Sequence, residues 1–198
     1  MTLIGEISAF LEASLSKTGE VSIALSGGSS PIALYQGLSS LDLDWTRVHV
    51  TLVDDRLVPA HHSDSNQKLV RKTLLRGKAG MAQLIRVQDW QEDHLPAIAI
   101  LGTGTDGHFA SLFPAMMGGA MAFDPAADPA ILTTAPMGNP PHARITMNLS
   151  MILAIPYRVL MVVGDKKKAI LRAALNGKDL PITRLLSHDG TQIFYERI

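Results

Sequence analysis

Apolar and polar residues follow two different spacings along the chain, and these spacings predict a succession of helices and strands. Helical spacing occurs at 3–15, 31–38, 69–75, 109–113, 149–153 and 166–175, and short apolar runs typical of strands lie at 21–25, 48–53, 98–101, 131–134, 144–147, 158–163 and 193–195. Because strands alternate with helices, we expect an α/β fold, a mostly parallel open sheet with helices on both faces (a Rossmann-like three-layer sandwich). No repeat or linker interrupts the pattern, so residues 1–198 are predicted to form a single domain.

The composition excludes several classes of protein and site. The 18 basic and 18 acidic residues cancel, so no overall charge attracts nucleic acid or an anionic membrane, and any bound anion must be held by local donors. The chain has no cysteine, which excludes disulfides, thiolate catalysis and cysteine-ligated zinc. Its first residues lack the basic segment of a signal peptide, and no apolar run approaches the ~20 residues that span a bilayer. We therefore expect a cytoplasmic protein that binds neither nucleic acid nor membrane.

Four polar clusters directly follow predicted strands, at 26–30, 54–56, 102–108 and 164–168. The carboxyl ends of parallel strands meet at one edge of a sheet, and open α/β sheets bind their ligands there. The sequence therefore predicts that the four clusters share one site.

The first cluster, Ser26-Gly27-Gly28-Ser29-Ser30, leads into a predicted helix that begins with a proline. Unhindered backbone N–H groups and the positive end of a helix favour a phosphate dianion. Many strand-to-helix turns contain glycine for steric reasons alone, so both interpretations stay open. The three lysines at 166–168 are likewise either a solvated helix start or an indication of an anionic partner.

The third cluster ends in Asp106-Gly107-His108, which presents a carboxylate and an imidazole together. Histidine suits general-base catalysis because its ordinary pKa lies near neutrality. The structural alternative is that His108 only caps the predicted helix at 109–113. A dinucleotide loop is disfavoured because the charge of Asp106 would repel a pyrophosphate.

Two further groups allow more than one interpretation. Arg56 can clamp a phosphate with its guanidinium or can pair with the two carboxylates that precede it. The segment His61-His62-Ser63-Asp64 contains metal-ligand types, but adjacent histidines on a loop point apart and no third ligand has a telling spacing. We therefore predict no metal site.

Several motifs occur in an order that resembles one known family. They are Ser26-Gly-Gly-Ser-Ser-Pro31, Asp55-Arg56, Val58-Pro59, His62-Ser-Asp-Ser-Asn66, Gly102-x-Gly-x-Asp-Gly-His108-x-Ala-Ser-Leu-Phe-Pro114, Arg144-Ile-Thr-Met-Asn148 and Gly164-Asp-Lys-Lys167. Together they closely resemble the 6-phosphogluconolactonases of the glucosamine-6-phosphate isomerase/6-phosphogluconolactonase superfamily. The resemblance spans residues 21–196, nearly the whole chain.

This resemblance implies hydrolysis of 6-phospho-D-glucono-1,5-lactone to 6-phospho-D-gluconate, in the oxidative pentose phosphate pathway, without a metal or organic cofactor. It makes His108 the general base and Asp106 its neighbouring carboxylate. The residues expected to bind the substrate, a phosphosugar lactone, are Ser26, Gly27, Gly28, Ser29, Asp55, Arg56, Gly104, Arg144 and Lys167.

The chain departs from the family pattern in two ways. The region at 76–96 is shorter than usual and lacks a helix, which would leave one wall of the pocket more open. Thr103 and Phe109 replace residues that are commonly Met and Thr, and Phe109 is expected to add bulk beside His108.

Two other functions stay open. The first is the sister activity, isomerisation with deamination of glucosamine 6-phosphate, which needs an additional carboxylate base at the end of an early strand. The second is a non-catalytic phosphosugar-binding module. In such a module the pair of Asp106 and His108 would have no role.

Overall fold

The structure, a computed structural model, describes residues 2–91 and 94–195. Within these ranges the strands are β1 (Val21–Leu25), β2 (Val48–Leu52), β3 (Asp54–Arg56), β4 (Gln83–Leu84), β5 (Ile98–Gly102), β6 (Ile131–Met137), β7 (His142–Met147), β8 (Tyr157–Val162) and β9 (Thr191–Tyr195). The α-helices are α1 (Leu3–Thr18), α2 (Ile32–Leu38), α3 (Asn66–Thr73), α4 (Ala120–Phe123), α5 (Leu149–Ala154), α6 (Asp165–Leu175) and α7 (Pro181–Leu186). The ends of the predicted domain, residues 1 and 196–198, lie outside the described residues.

The main sheet contains six strands in the order β4-β2-β1-β5-β8-β9, and every neighbouring pair is parallel. Its central strands are buried along their length because helices cover both faces. Ile23 and Ile100 belong to the apolar cluster that contains the buried apolar residues of α1, α2 and α3. Ala24 and Leu101 belong to a second cluster, with residues of α5, α6 and α7. The predicted three-layer α/β fold is therefore confirmed.

A second sheet of three antiparallel strands, in the order β3-β7-β6, was not predicted. The chain passes from β2 to β3 across the single residue Val53, and the polar sequence of β3 had indicated a loop. In the register of this sheet Arg56 lies opposite Arg144. Cross-strand pairing therefore brings together two cations that are 88 positions apart in the sequence.

Two local predictions were wrong. The segment 109–113 is not a helix: Phe109 makes antiparallel bridges to Thr103 and Leu112, and Ala110 has a positive φ of 47°. Helix α7 was missed, although Pro181 at its first turn is a typical start signal. The absence of an α-helix between Leu75 and β5 holds for its described residues, which contain 3-10 turns and β4.

Arg158 joins the end of the main sheet to the neighbouring loops from a buried position. Its Nη1 donates to the carbonyl oxygens of Leu153 (2.7 Å) and Ile155 (2.5 Å), and its Nη2 donates to that of Asp189. Its Nε donates to Thr191 Oγ1 (3.1 Å). These four bonds tie β8 to the end of α5, to the loop at Asp189 and to the start of β9.

Among residues 2–91 and 94–195, no helix combines the length and the apolar character needed to cross a membrane.

Candidate active site

A polar cavity of about 150 Å³ opens at the carboxyl edge of β1 and β5, where the sequence placed the site. Three cations and one histidine contribute to its wall, together with glycine backbone from two loops. The described lining residues are Ser26, Gly27, Gly28, Ser30, Asp54, Arg56, Asn66, Gly102, Thr103, Gly104, His108, Ala110, Arg144 and Lys167. Clusters from all four predicted segments thus meet in one place.

His108 and Asp106 form a direct pair at the mouth of this cavity. His108 Nδ1 lies 2.5 Å from Asp106 Oδ1, and the backbone N–H of His108 donates to the same oxygen (3.2 Å). Burial raises the pKa of Asp106, but its hydrogen bonds and the nearby charge of His108 outweigh burial, and the pKa falls below its ordinary value of 3.8. The carboxylate is therefore ionised at neutral pH and accepts from Nδ1–H, which leaves Nε2 as the basic nitrogen.

The loop that carries this pair is closed by backbone hydrogen bonds. Gly104 N–H donates to the carbonyl oxygen of His108 (2.8 Å), and Ile182 N–H at the start of α7 donates to that of Gly107 (2.9 Å). A Cβ at Gly104 would lie 2.2 Å from His108 Cε1 and 2.7 Å from Asp106 Oδ1. Position 104 therefore needs glycine because the imidazole packs directly against its backbone.

An aromatic ring connects the histidine with a cation. The ring of Phe113 lies 4.6 Å from the ring of His108, centroid to centroid, and the guanidinium carbon of Arg144 lies 5.2 Å from its centroid. Arg144 also donates from Nε to the carbonyl oxygen of Met137 (3.1 Å) and from Nη2 to that of Pro140 (3.3 Å). These contacts hold the guanidinium in one orientation. The side chain is also buried, with only 5% of its surface exposed.

Arg56 is held by the loop before α3 and by the first residue of that helix. Its Nη1 donates to the carbonyl oxygen of Asp64 (2.8 Å) and to Asn66 Oδ1 (2.6 Å), while its buried Nε has no hydrogen-bond partner among the described residues. The predicted pairing of Arg56 with the preceding carboxylates is limited to the backbone, because its N–H donates to Asp55 Oδ1 (2.8 Å). Gly27 gives Asn66 its space, since a Cβ there would lie 1.8 Å from Asn66 Oδ1.

The nearby guanidinium of Arg56 lowers the affinity of Arg144 for its proton. Burial, and then the charge of Arg56, lowers the pKa of Arg144 from its ordinary 12.5. Like charges directly opposite each other on paired strands are destabilising. A bound anion would relieve that repulsion.

Lys167 supplies the third cation from the first turn of α6. Its Nζ donates to Ser30 Oγ (2.8 Å), which joins α6 to the glycine loop, and burial lowers its pKa below the ordinary 10.5. The buried Ser26 Oγ, which also lines the cavity, has no hydrogen-bond partner among the described residues. Both observations fit a site whose donors are satisfied by an anionic ligand.

The two neighbouring aspartates of β3 have different surroundings. Asp54 lines the cavity, accepts from Ser111 Oγ (2.5 Å) and lies 4.0 Å from Arg144 Nη1. Asp55 points away and accepts backbone N–H groups of Asn66 (2.6 Å) and Gln67 (3.2 Å) at the start of α3. Burial raises the pKa of Asp55 despite these bonds. Asp55 thus anchors a helix, and Asp54 is the carboxylate that faces the site.

The structure brings most of the predicted site residues together. Three of them, Ser29, Asp55 and Asp106, do not line the cavity, although Asp106 acts on it through His108. The sequence did not indicate that Asp54 and Asn66 line the cavity. Their side chains reach it because of the unpredicted strand β3, to which Asn66 is hydrogen-bonded. The ring of Phe109 is fully buried 6.5 Å from Phe123 and adds no bulk to the cavity.

Comparisons with known proteins agree with this geometry. A family model described as glucosamine-6-phosphate isomerases/6-phosphogluconolactonase matches residues 1–194. A protein of Neisseria meningitidis serogroup A, named 6-phosphogluconolactonase, is 37% identical over 206 residues, which cover 93% of this chain and 89% of that protein. A protein of Pseudomonas aeruginosa, also named 6-phosphogluconolactonase, is 37% identical to this chain. The similarity covers 89% of this chain and 81% of that protein.

Solved structures show the same similarity. The crystal structure of a 6-phosphogluconolactonase from Shewanella baltica OS155 superposes with a TM-score of 0.87 at 30% identity, covering 98% of this chain and 91% of that one. The predicted family is thereby confirmed. This chain belongs to the glucosamine-6-phosphate isomerase/6-phosphogluconolactonase family.

Proposed function

We propose that residues 1–198 form one catalytic domain, a 6-phosphogluconolactonase that hydrolyses 6-phospho-D-glucono-1,5-lactone to 6-phospho-D-gluconate. The names of the relatives bear out the lactone hydrolysis predicted from the sequence. The observation that carries the mechanism is the pair of His108 and Asp106 beside a cavity with three cations. The role of each residue in this mechanism is our proposal.

The three cations bind the phosphate of the substrate, whereas His108 activates the attacking water. Arg56, Arg144 and Lys167 neutralise the dianion together with N–H groups of the glycine loop. The phosphate lies away from the reacting carbon, so its binding energy holds the lactone in position for attack.

His108 Nε2 takes a proton as the oxygen of a water molecule bonds to the ring carbonyl carbon. The tetrahedral intermediate then collapses, the bond between that carbon and the ring oxygen breaks, and the leaving oxygen receives the proton from His108. Asp106 stabilises the imidazolium between these steps. The carboxylic acid formed loses a proton to solvent, so each turnover releases one proton.

The test replaces His108 by Asn and measures proton release from freshly made 6-phosphogluconolactone, with the spontaneous rate subtracted. We expect kcat to fall by about 10²- to 10⁴-fold, the usual contribution of a general base. Binding of 6-phosphogluconate, measured by calorimetry, should be retained because the cations are untouched. The matched control is His188→Asn, at an exposed histidine outside the cavity. An unchanged rate in His108→Asn would refute the mechanism.

The sister activity is a second candidate because of one observation, the position of Asp54. This carboxylate begins β3, two residues after the early strand β2 ends, and it lines the cavity, as a second base would. Its hydrogen bond from Ser111 and its proximity to Arg144 favour a supporting role instead. Ammonia release from glucosamine 6-phosphate, without accelerated lactone hydrolysis, would overturn the choice of lactonase. Binding of 6-phosphogluconate with neither activity would indicate a binding module.

A further inference from the structure

We propose that His62, Asp64 and His142 form a binding site for a divalent transition-metal ion such as Zn²⁺, separate from the proposed catalytic cavity. Each residue offers one ligand atom, and the three atoms lie within 4.8 Å of one another. The sequence showed only His62 and Asp64 as neighbours. The third ligand comes from the start of β7, 78 residues further along the chain.

The spacing of the ligand atoms suits a tetrahedral ion. His142 Nε2 lies 2.8 Å from Asp64 Oδ2, and His62 Nδ1 lies 3.8 Å from the same oxygen. Bonds of about 2.0–2.1 Å at tetrahedral angles separate ligand atoms by about 3.3 Å, which lies between these two distances. Small side-chain adjustments would therefore bring all three atoms to one ion.

Neighbouring hydrogen bonds already direct the ligand atoms. Ser63 Oγ donates to Asp64 Oδ1 (3.3 Å), which leaves Oδ2 for the histidines, and Arg56 uses the carbonyl oxygen of Asp64 rather than its carboxylate. The backbone N–H of Asp64 donates to His62 Nδ1 (3.1 Å), so this nitrogen carries the lone pair. A metal ion would replace this bond and the bond between His142 and Asp64.

The donor set has the chemistry of a transition-metal site. Neutral imidazoles and a carboxylate suit Zn²⁺, and three protein ligands leave one position for water. The side chains of His62, Asp64 and His142 are 42%, 30% and 25% exposed, which gives an ion access from solvent.

The position of the cluster indicates a structural effect rather than a chemical one. An ion there would tie the loop before α3 to β7, and the carbonyl oxygen of Asp64 in that loop holds Arg56. A metal would thus stabilise the folded chain and the setting of Arg56, without taking part in lactone hydrolysis. Without a metal, the hydrogen bond between His142 and Asp64 joins these residues of loop and strand.

The experiment titrates untagged protein with ZnCl₂ by calorimetry and with Co²⁺ by visible absorption, which reports the coordination geometry of cobalt. The chain has no cysteine, so thiolates cannot contribute. The variants are His62→Asn and His142→Asn, each checked for folding by circular dichroism. The matched control is His61→Asn, an exposed histidine next to the cluster but outside it. A second control, His108→Asn, removes the catalytic histidine.

We expect one ion per chain, a tetrahedral cobalt spectrum that Zn²⁺ abolishes, and a higher thermal midpoint with Zn²⁺. Both cluster variants should bind at least about 10-fold to 100-fold more weakly, since even residues behind the ligands contribute that much to metal affinity. His61→Asn and His108→Asn should bind as the parent chain does. Absence of saturable binding at millimolar Zn²⁺, unchanged binding in either cluster variant, or loss of binding in either control would overturn the proposal. The lactonase assay does not enter this result, so the two proposals fail independently.

Discussion

The variant Gly104→Ala tests whether turnover depends on the position of the His108 imidazole. The added methyl would lie 2.2 Å from His108 Cε1 and 2.3 Å from Nδ1, whereas ordinary contacts begin near 3.4 Å. The imidazole must therefore move by about 1.2 Å, the difference between 3.4 and 2.2 Å. A misplacement of about 1 Å can cost about 10²-fold in rate, so we expect kcat to fall by about that factor.

The same change should leave substrate binding and the fold largely intact. The φ angle of Gly104 lies outside the left-handed region, so alanine can adopt its backbone. The displaced ring borders an open cavity, and the free energy of unfolding should change by about 1 kcal/mol or less. The KM should stay close to that of the parent because the three cations do not move.

The assay is proton release from fresh 6-phosphogluconolactone, with urea unfolding measured in parallel. Gly118→Ala is the matched control, because a Cβ at that position meets no atom of the described residues within 4 Å. A kcat of Gly104→Ala within about threefold of the parent would refute the reasoning that His108 must keep its present position. A 10²-fold lower kcat supports this reasoning only if the variant is folded, and the urea unfolding curve shows whether it is.

Three further variants separate binding from stability. Arg144→Lys should raise KM by about 10-fold or more, because a single ammonium cannot reproduce the guanidinium fork that Phe113 orients. Lys167→Met should weaken 6-phosphogluconate binding by about 10-fold to 100-fold yet raise the thermal midpoint, because burial of the charge disfavours the folded state. The unfolded lysine keeps its proton up to about pH 10.5, so the parent should gain stability relative to Lys167→Met as the pH rises from the lowered folded pKa to that value. Arg158→Met should lower the free energy of unfolding by about 3 kcal/mol with unchanged kcat and KM, because its hydrogen bonds are lost, including the one to the buried carbonyl oxygen of Ile155.

These expectations are checked by steady-state kinetics, calorimetry with 6-phosphogluconate, and unfolding in urea and by heat. An Arg144→Lys enzyme with parental KM would contradict the assignment of that guanidinium to the substrate. A lower thermal midpoint in Lys167→Met, or a stability difference independent of pH between the two pKa values, would contradict the cost assigned to the buried ammonium. Impaired turnover in folded Arg158→Met would show that this arginine does more than support the fold.

The main sheet could be predicted from sequence because its signals are local. Runs such as 21–25 and 98–101 are apolar throughout, and a strand covered on both faces needs that pattern. The glycine loop and the segment ending in His108 follow such strands directly, so their shared edge followed from topology. Lys167 belongs to the fourth such cluster, at 164–168, whereas the placement of Arg144 depended on the family resemblance.

The second sheet could not be predicted because its pairing is non-local. Strand β3 has only three residues, all charged, and it is a strand because β7 lies beside it. Asp54 and Asp55 point in opposite directions because successive side chains of a strand lie on opposite faces. A prediction of a loop at these positions does not give their directions. The helix predicted at 109–113 failed for a similar reason, because Phe109 pairs with Thr103 and turns the chain back.

The pairing of Arg56 with Arg144 affects the choice of buffer in which the stability of this protein is measured. A buffer anion such as phosphate or sulfate that settles between the two guanidiniums binds only the folded chain, and any such ligand raises apparent stability with its concentration. Melting temperatures recorded in different buffers would then differ for one and the same sequence. Changes at either arginine would remove this anion-dependent part of the stability, so comparisons between variants require one defined anion concentration.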